Sequence, residues 1–170
     1  MGLFDKLFGG KEEPAISVET EKNTLYMPIE GEVIALEEIG DGVFSAGVLG
    51  QGCGILPAEE IVYAPADAEV STVADTKHAV GLLTEDGAEV LIHVGMDTVD
   101  MNGEGFTPLV KAGQKVKCGQ PLLKFSESKI KAAGHPTTTA FVITNADDLS
   151  EVTVLKTGKA GKLSAVMRAV

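Results

Sequence analysis

A chain of 170 residues, 44% of them hydrophobic, has the size of one ordinary domain and can bury a core without disulfides or metal. A net charge of −11 argues against nucleic acid as a ligand, because a phosphate backbone is held by clustered Lys and Arg and here acids dominate; the same charge suits basic protein partners. Cys53 and Cys118 stand in no CxxC or Cys/His cluster, no run nears the roughly 18 apolar residues of a membrane span, and no signal-peptide core opens the chain, so a cytoplasmic location is expected.

The opening segment "MGLFDKLFGGKEEP" places Leu3, Phe4, Leu7 and Phe8 at one-turn spacing, with Asp5 and Lys6 opposite and Gly9, Gly10 and Pro14 as breakers. It predicts a short amphipathic helix in a flexible leader over residues 1–19, ahead of a β domain over 20–170. So short a helix is marginal in water and wants a surface. Residues 1–8 could lie on the inner face of the cell membrane, drawn weakly by Lys6 and Lys11, or on their own domain.

Beyond the leader, runs rich in Val, Ile and Leu recur between Gly, Pro, Asp and Asn: "GEVIAL", "GVFSAGVLG", "EIVYAP", "AEVSTV", "HAVGLLT", "AEVLIHVG", "QKVKCGQPLLKF", "TAFVITN" and "SEVTVLKTG". This punctuation predicts an all-β chain, an antiparallel β-sandwich or barrel. One short helix is expected at "SESKIKAAG", with Ser126 as cap, Ile130 and Ala133 facing inward and Gly134 as terminator. "PIEGEVIAL" from Pro28 and "PADAEVSTV" from Pro65 form a weak internal echo, consistent with a repeated β unit.

The stretch "EVLIHVGMDTV" puts one of only three histidines inside an apolar strand. On strict alternation Val90, Ile92 and Val94 face the core, and Glu89, Leu91 and His93 face outward. The preceding run ends in the turn signal Thr84-Glu85-Asp86-Gly87. A four-residue loop sets His78 opposite His93, and a two-residue loop sets Val80 there with His78 one diagonal step away. A three-residue loop would send the two rings to opposite faces.

Two imidazoles on a partly apolar surface narrow the chemistry. A metal would want a third ligand, and although Asp97 could serve, no His-x-His or His-x-x-x-His spacing supports a site. No Ser or Cys is suggested beside a histidine as a nucleophile–base dyad. The remaining option is an imidazole that is itself the nucleophile toward phosphorus, with the second imidazole stabilising phosphoryl oxygens. An apolar surround would keep water from a labile phosphohistidine and offer protein partners a docking surface.

The run from Gly87 through Val99, followed by "GEGF" at Gly103 to Phe106, resembles the phosphorylation-site signature of the glucose-type IIA proteins of the bacterial phosphoenolpyruvate-dependent sugar phosphotransferase system. Thr76 with His78, "TAFVITNADDL" and the leader "MGLFDKLFG" extend the resemblance over most of the chain. It implies a phosphotransferase component that needs no cofactor: His93 would accept phosphate from the phosphocarrier HPr and pass it to a cysteine of a IIB domain or IIBC sugar permease. By the same resemblance His78 would assist transfer, Thr76 would orient His78, and Asp97 would belong to the partner-binding rim. A transient zinc shared by His78, His93 and a partner carboxylate is also allowed.

The chain departs from the family pattern in having Ala74, Gly81 and Leu91 where members carry Phe, while retaining Phe44, and in having Ala68 at a usual Gly. Rival readings are a regulatory module that binds transporters or kinases and is switched by phosphorylation, and a zinc-dependent hydrolase on a related scaffold. Residue by residue, bland alternatives stand beside the functional ones. His93 alone would read as an exposed strand histidine, Thr76 as a strand residue, Asp97 as a turn residue, and His135 as solvated. Phe44 and Leu91 fit core or docking surface equally.

Overall fold

The computed structural model describes residues 14–170; the expected leader helix over residues 1–8 lies outside them. Each run between turn residues becomes a short strand, because β-branched and aliphatic side chains suit a pleated surface and Gly, Pro and Asn suit the bends. In chain order these are β1 (Thr24–Tyr26), β2 (Gly31–Ala35), β3 (Gln51–Pro57), β4 (Ile61–Tyr63), β5 (Ala68–Val73), β6 (Ala79–Thr84), β7 (Glu89–His93), β8 (Phe106–Pro108), β9 (Lys115–Val116), β10 (Pro121–Phe125), β11 (Thr139–Ile143), β12 (Val152–Val154), β13 (Gly158–Ala160) and β14 (Ala165–Ala169).

All pairings are antiparallel. β13-β2-β3-β11-β7-β6-β5-β9 form an eight-stranded sheet, and β1-β14-β12 and β4-β10-β8 form two three-stranded sheets. Side chains of all three meet in one core, where Ile55, Val80, Leu82, Ile92 and Phe141 of the large sheet touch water nowhere or almost nowhere, alongside Leu122, Leu123 and Met167 of the small ones. Strand β7 alternates as its sequence predicts: Val90, Ile92 and Val94 are buried, Glu89 is exposed, and Leu91 and His93 are half-buried on the outer face. Among the described residues no helix is long and apolar enough to cross a membrane.

The weak echo at Pro28 and Pro65 is the trace of a pseudo-two-fold axis. The Tyr26 amide donates to the Pro65 carbonyl at 2.9 Å and the Tyr63 amide to the Pro28 carbonyl at 2.8 Å. The Ala58 amide reaches the Glu30 carbonyl as the Glu85 amide reaches that of Asp67, and Met27 bonds Ser164 as Ala64 bonds Gln120. The order of the large sheet accordingly reads the same from both ends, and the axis passes between β7 and β11. What breaks the symmetry is connection length. Residues 36–50 join β2 to β3, while only residues 74–78 join β5 to β6.

The helix α1 (Glu127–Ala132) is capped by Ser126, whose Oγ accepts the Lys129 amide at 3.2 Å, and Ile130 is fully buried. Ala133 does not face inward as expected: the helix ends one residue earlier, with Gly134 at φ 86°, and Ala133 is exposed. The segment ahead of β1 is tied to the domain, since the Ile16 amide donates to the Gly119 carbonyl at 3.0 Å.

Gly31 and Ala68 are pseudo-equivalent entries to β2 and β5, yet a Cβ on Gly31 would press into the Leu56 carbonyl of the neighbouring strand. Backbone cannot yield as a side chain does, so Gly31→Ala should cost about 2 kcal/mol or more in urea unfolding, and Ala68→Gly only about 1 kcal/mol.

Candidate functional site

His93 ends β7 on the outer face of the large sheet, with Ala79 of β6 and Ala140 of β11 as its direct neighbours in register. The β6–β7 connection corrects both expected registers. Thr84 pairs with Ala88 across the three residues Glu85, Asp86 and Gly87, with the Thr84 amide 2.9 Å from the Ala88 carbonyl and the Ala88 amide 2.9 Å from Thr84 Oγ1. This is the loop length that strict alternation would have separate the histidines. They meet nonetheless, with ring centroids 4.6 Å apart and planes at 85°.

The reason is that His78 stands just before β6, where the ladder no longer dictates facing. Lys77 adopts a left-handed backbone (φ 64°), and the His78 carbonyl accepts the Val94 amide at 2.8 Å, holding the residue at the end of the sheet. Its ring turns over that end toward His93, with the core residue Phe106 at 6.3 Å on a T-shaped approach. Only 6% of His78 is exposed.

Each imidazole is oriented through its Nδ1. His93 Nδ1 lies 2.8 Å from the Gly95 carbonyl oxygen. A carbonyl can only accept, so Nδ1 carries the proton and the neutral ring keeps its lone pair on Nε2. Gly95 serves this turn because its φ is +75° and a Cβ there would crowd Thr98 and the Pro136 carbonyl. Thr98, fully buried, fixes the same turn by donating from Oγ1 to the Val94 carbonyl at 2.6 Å. Thr76 Oγ1 lies 2.8 Å from His78 Nδ1. When the hydroxyl donates, His78 Nε2 bears the proton and becomes a hydrogen-bond donor.

Burial sets the charge of both rings. His93 is pushed down to about 4, first by desolvation and then by the neighbouring His78, against weaker opposition from the Gly95 hydrogen bond and the Asp41 charge. Burial also lowers His78, with the Thr76 contact opposing. Near neutral pH the site therefore holds an uncharged nucleophilic nitrogen beside an uncharged ring.

Around His93 lies a second apolar cluster, separate from the main core: Leu36, Phe44, Met96, Ala140 and Val142, with Ile39 and Leu91 half-buried against it. The Phe44 ring stands 5.0 Å from the His93 ring at 57°, and Phe44 is only 4% exposed. Phe44 is thus a wall of the site, and Leu91 lies at its half-buried edge. Asp97 is exposed with φ 59°, and its carbonyl accepts the Asp100 amide. His135 is half-buried far along the chain, its amide helping to close α1 by donating to Ile130.

Sequence reading missed Met96, Ala140 and Val142, which come together only when β11 pairs with β7, and the Gly95 carbonyl. It also missed Asp41, although an Asp followed by Gly and, four residues on, by Ser is a turn-capping pattern. Among the described residues no group of three or more His, Cys, Asp or Glu could hold a metal ion. Two imidazoles fall short of the three protein ligands a catalytic zinc takes, so the donor set does not fit the hydrolase.

The family model for the phosphoenolpyruvate-dependent sugar phosphotransferase system, EIIA 1, matches residues 23–149, which include both histidines and Thr76. The chain belongs to this family. It is 36% identical to the glucose-specific EIIA component of Haemophilus influenzae, over 94% of this chain and 92% of that one. It is also 42% identical to the beta-glucoside-specific EIIBCA component of Bacillus subtilis, over 98% of this chain but 27% of that protein; it thus spans about a quarter of that relative's length. Among solved structures, glucose permease IIA from Mycoplasma capricolum superposes with a TM-score of 0.77 at 29% identity, covering 89% of this chain and 98% of that one. The mostly antiparallel β architecture expected from sequence is that of a IIA protein.

Because His93 is depressed relative to its ordinary 6.5, the unfolded chain binds the proton first as pH falls. The stabilising contribution is complete above about 6.5 and is lost between there and about 4. His93→Gln should flatten the acid-side fall in unfolding free energy over that window, and ¹⁵N spectra of the wild type at neutral pH should show His93 protonated on Nδ1.

Proposed function

We propose that His93 Nε2 is the phosphoryl acceptor of this IIA phosphocarrier, loaded by HPr and discharged to a cysteine of a IIB domain or IIBC permease. The supporting observation is the Nδ1–H to Gly95 carbonyl bond, which leaves Nε2 unprotonated beside the His78 ring. In the loading step the Nε2 lone pair forms a bond to phosphorus while the phosphorus–nitrogen bond to the donor histidine breaks, its electron pair returning to that nitrogen. In the discharge step a IIB thiolate attacks phosphorus and the bond to Nε2 breaks. The Gly95 carbonyl stabilises the cationic character of the phosphorylated ring through Nδ1–H.

His78, oriented by Thr76, supplies an Nε2–H to the phosphoryl oxygens as charge shifts in the transition state. The apolar walls from Phe44, Met96 and Leu91 keep water from the phosphohistidine. Exposed Asp97 offers an anion at the rim to a basic partner. A regulatory use of the same surface is favoured by the exposed Val43, Val48 and Leu49 on the connection that carries Phe44: transporters or kinases docking there would be displaced when phosphate adds charge to an apolar face.

With phosphoenolpyruvate, the general phosphotransferase enzyme and HPr, phosphate should map to His93 under conditions gentle to phosphohistidine. His93→Ala should abolish acceptance. His78→Gln, which keeps a donor but cannot become cationic, should spare acceptance more than onward transfer to the IIB cysteine. Complete loss of acceptance in His78→Gln, or phosphate on His78 in the wild type, would reverse the assigned roles.

The leader reading carries a separate expectation. Deleting residues 1–13 should leave the β domain folded and phosphorylatable while reducing binding to anionic vesicles. Equal vesicle binding by both forms would remove the membrane role.

A further inference from the structure

The connection between β2 and β3 carries a clasp built on Asp41. Asp41 sits between two glycines of positive φ, Gly40 at 70° and Gly42 at 82°, and its carboxylate folds back on the turn that follows. Oδ2 accepts the Phe44 amide at 3.1 Å, while Oδ1 accepts those of Ser45 at 3.0 Å and Val43 at 3.3 Å. Ser45 Oγ returns the bond by accepting the Gly42 amide at 2.9 Å, and the Phe44 carbonyl accepts the Gly47 amide at 2.9 Å. Burial alone would raise the Asp41 carboxyl, but the amides of Ser45, Phe44 and Val43 outweigh it and hold it below its usual range. It is an anion spent on three backbone donors.

The consequence lies at Phe44. Its amide is tied to Asp41 and its ring stands 5.0 Å from the His93 ring, while the His78 ring makes a separate contact with His93 at 4.6 Å. Ala79 and Ala140, the register neighbours of His93, are too small to confine an imidazole from the flanks. Orientation of the ring therefore falls to the Gly95 bond, the His78 ring and the Phe44 ring. Of these, the Phe44 ring comes from a long connection that no strand pairing holds in place.

We infer that Asp41 is a positioning residue for the phosphoryl acceptor: by clasping the turn from Gly42 to Ser45 it sets the Phe44 ring against His93 and keeps Nε2 aimed at the incoming phosphorus. The inference rests on the carrier reading above. It differs from a docking role for an exposed acid, which would act through the partner's charge and leave the unbound site unchanged.

Asp41→Asn tests it, because the amide can still serve Val43 and Ser45 through its oxygen but presents a donor to the Phe44 amide. Ser45→Ala loosens the same turn without altering any charge. In the unphosphorylated protein at fixed pH, Phe44 displaces the NMR signals of the His93 ring protons through its ring current, and Phe44→Ala defines the loss of that displacement. Asp41→Asn should move those signals toward the Phe44→Ala positions, and Ser45→Ala should move them the same way by less. At saturating phosphorylated HPr the acceptance rate of Asp41→Asn should fall roughly tenfold, as expected for a misplaced reacting group. The double variant Asp41→Asn with Phe44→Ala should be little slower than Phe44→Ala alone.

Unchanged His93 signals in a folded Asp41→Asn protein would overturn the inference. So would a rise in KM for HPr alone with those signals unmoved, since that is the mark of a docking anion, or full additivity in the double variant. A wild type that accepts no phosphate on His93 would count against the carrier reading instead, and the ring-proton signals would still decide the clasp.

Discussion

One hydrogen bond organises the site, the 2.8 Å contact from His93 Nδ1–H to the Gly95 carbonyl. It selects the tautomer, leaving the proton on Nδ1 and the free lone pair on Nε2. Much of the local structure exists to present that carbonyl. Gly95 supplies the left-handed backbone, Thr98 and the Pro136 carbonyl fill the space a Cβ would need, and the Val94 amide ties the segment to His78. The partner histidine and the orienting carbonyl are therefore held by the same few residues at one end of β7.

The energetics of this arrangement depend on keeping both imidazoles neutral. Removing His93 from water disfavours its protonation, and placing His78 beside it adds to that effect. A protonated ring would have no free lone pair, so the burial that lowers proton affinity also keeps the one on Nε2 available. The same burial has a cost on the acid side of stability, where the unfolded chain takes up a proton that the folded site resists.

Unequal connections about the pseudo-two-fold axis make the two halves of the outer face differ. The axis passes between β7 and β11, so the outer face has two halves of similar framework. The long connection after β2 lays Leu36, Ile39 and Phe44 over Val142 and Ala140 on one half, while the short turn after β5 leaves His93 partly open and brings His78 to it. Phe44 crosses from the covered half to the open one, so a broken symmetry furnishes the wall of the site.

Much of this was determined by the sequence itself. Alternation in "EVLIHV" put Val90, Ile92 and Val94 in the core and His93 outside, Ser126 marked the helix start, and the runs between turn residues marked an antiparallel β chain, because side-chain period and turn chemistry are local properties. The signature around His93 and the pair Thr76 and His78 identified the family for the same reason: they are linear. Tertiary structure alone decided how the histidines meet. Alternation applied to the observed three-residue turn would have separated them, and it failed because His78 lies beyond the ladder on a left-handed bend at Lys77. Met96, Ala140, Val142 and the Asp41 clasp were equally hidden as parts of the site, since distant strands and a folded-back connection bring them to His93, and no local periodicity encodes which surfaces will be laid together.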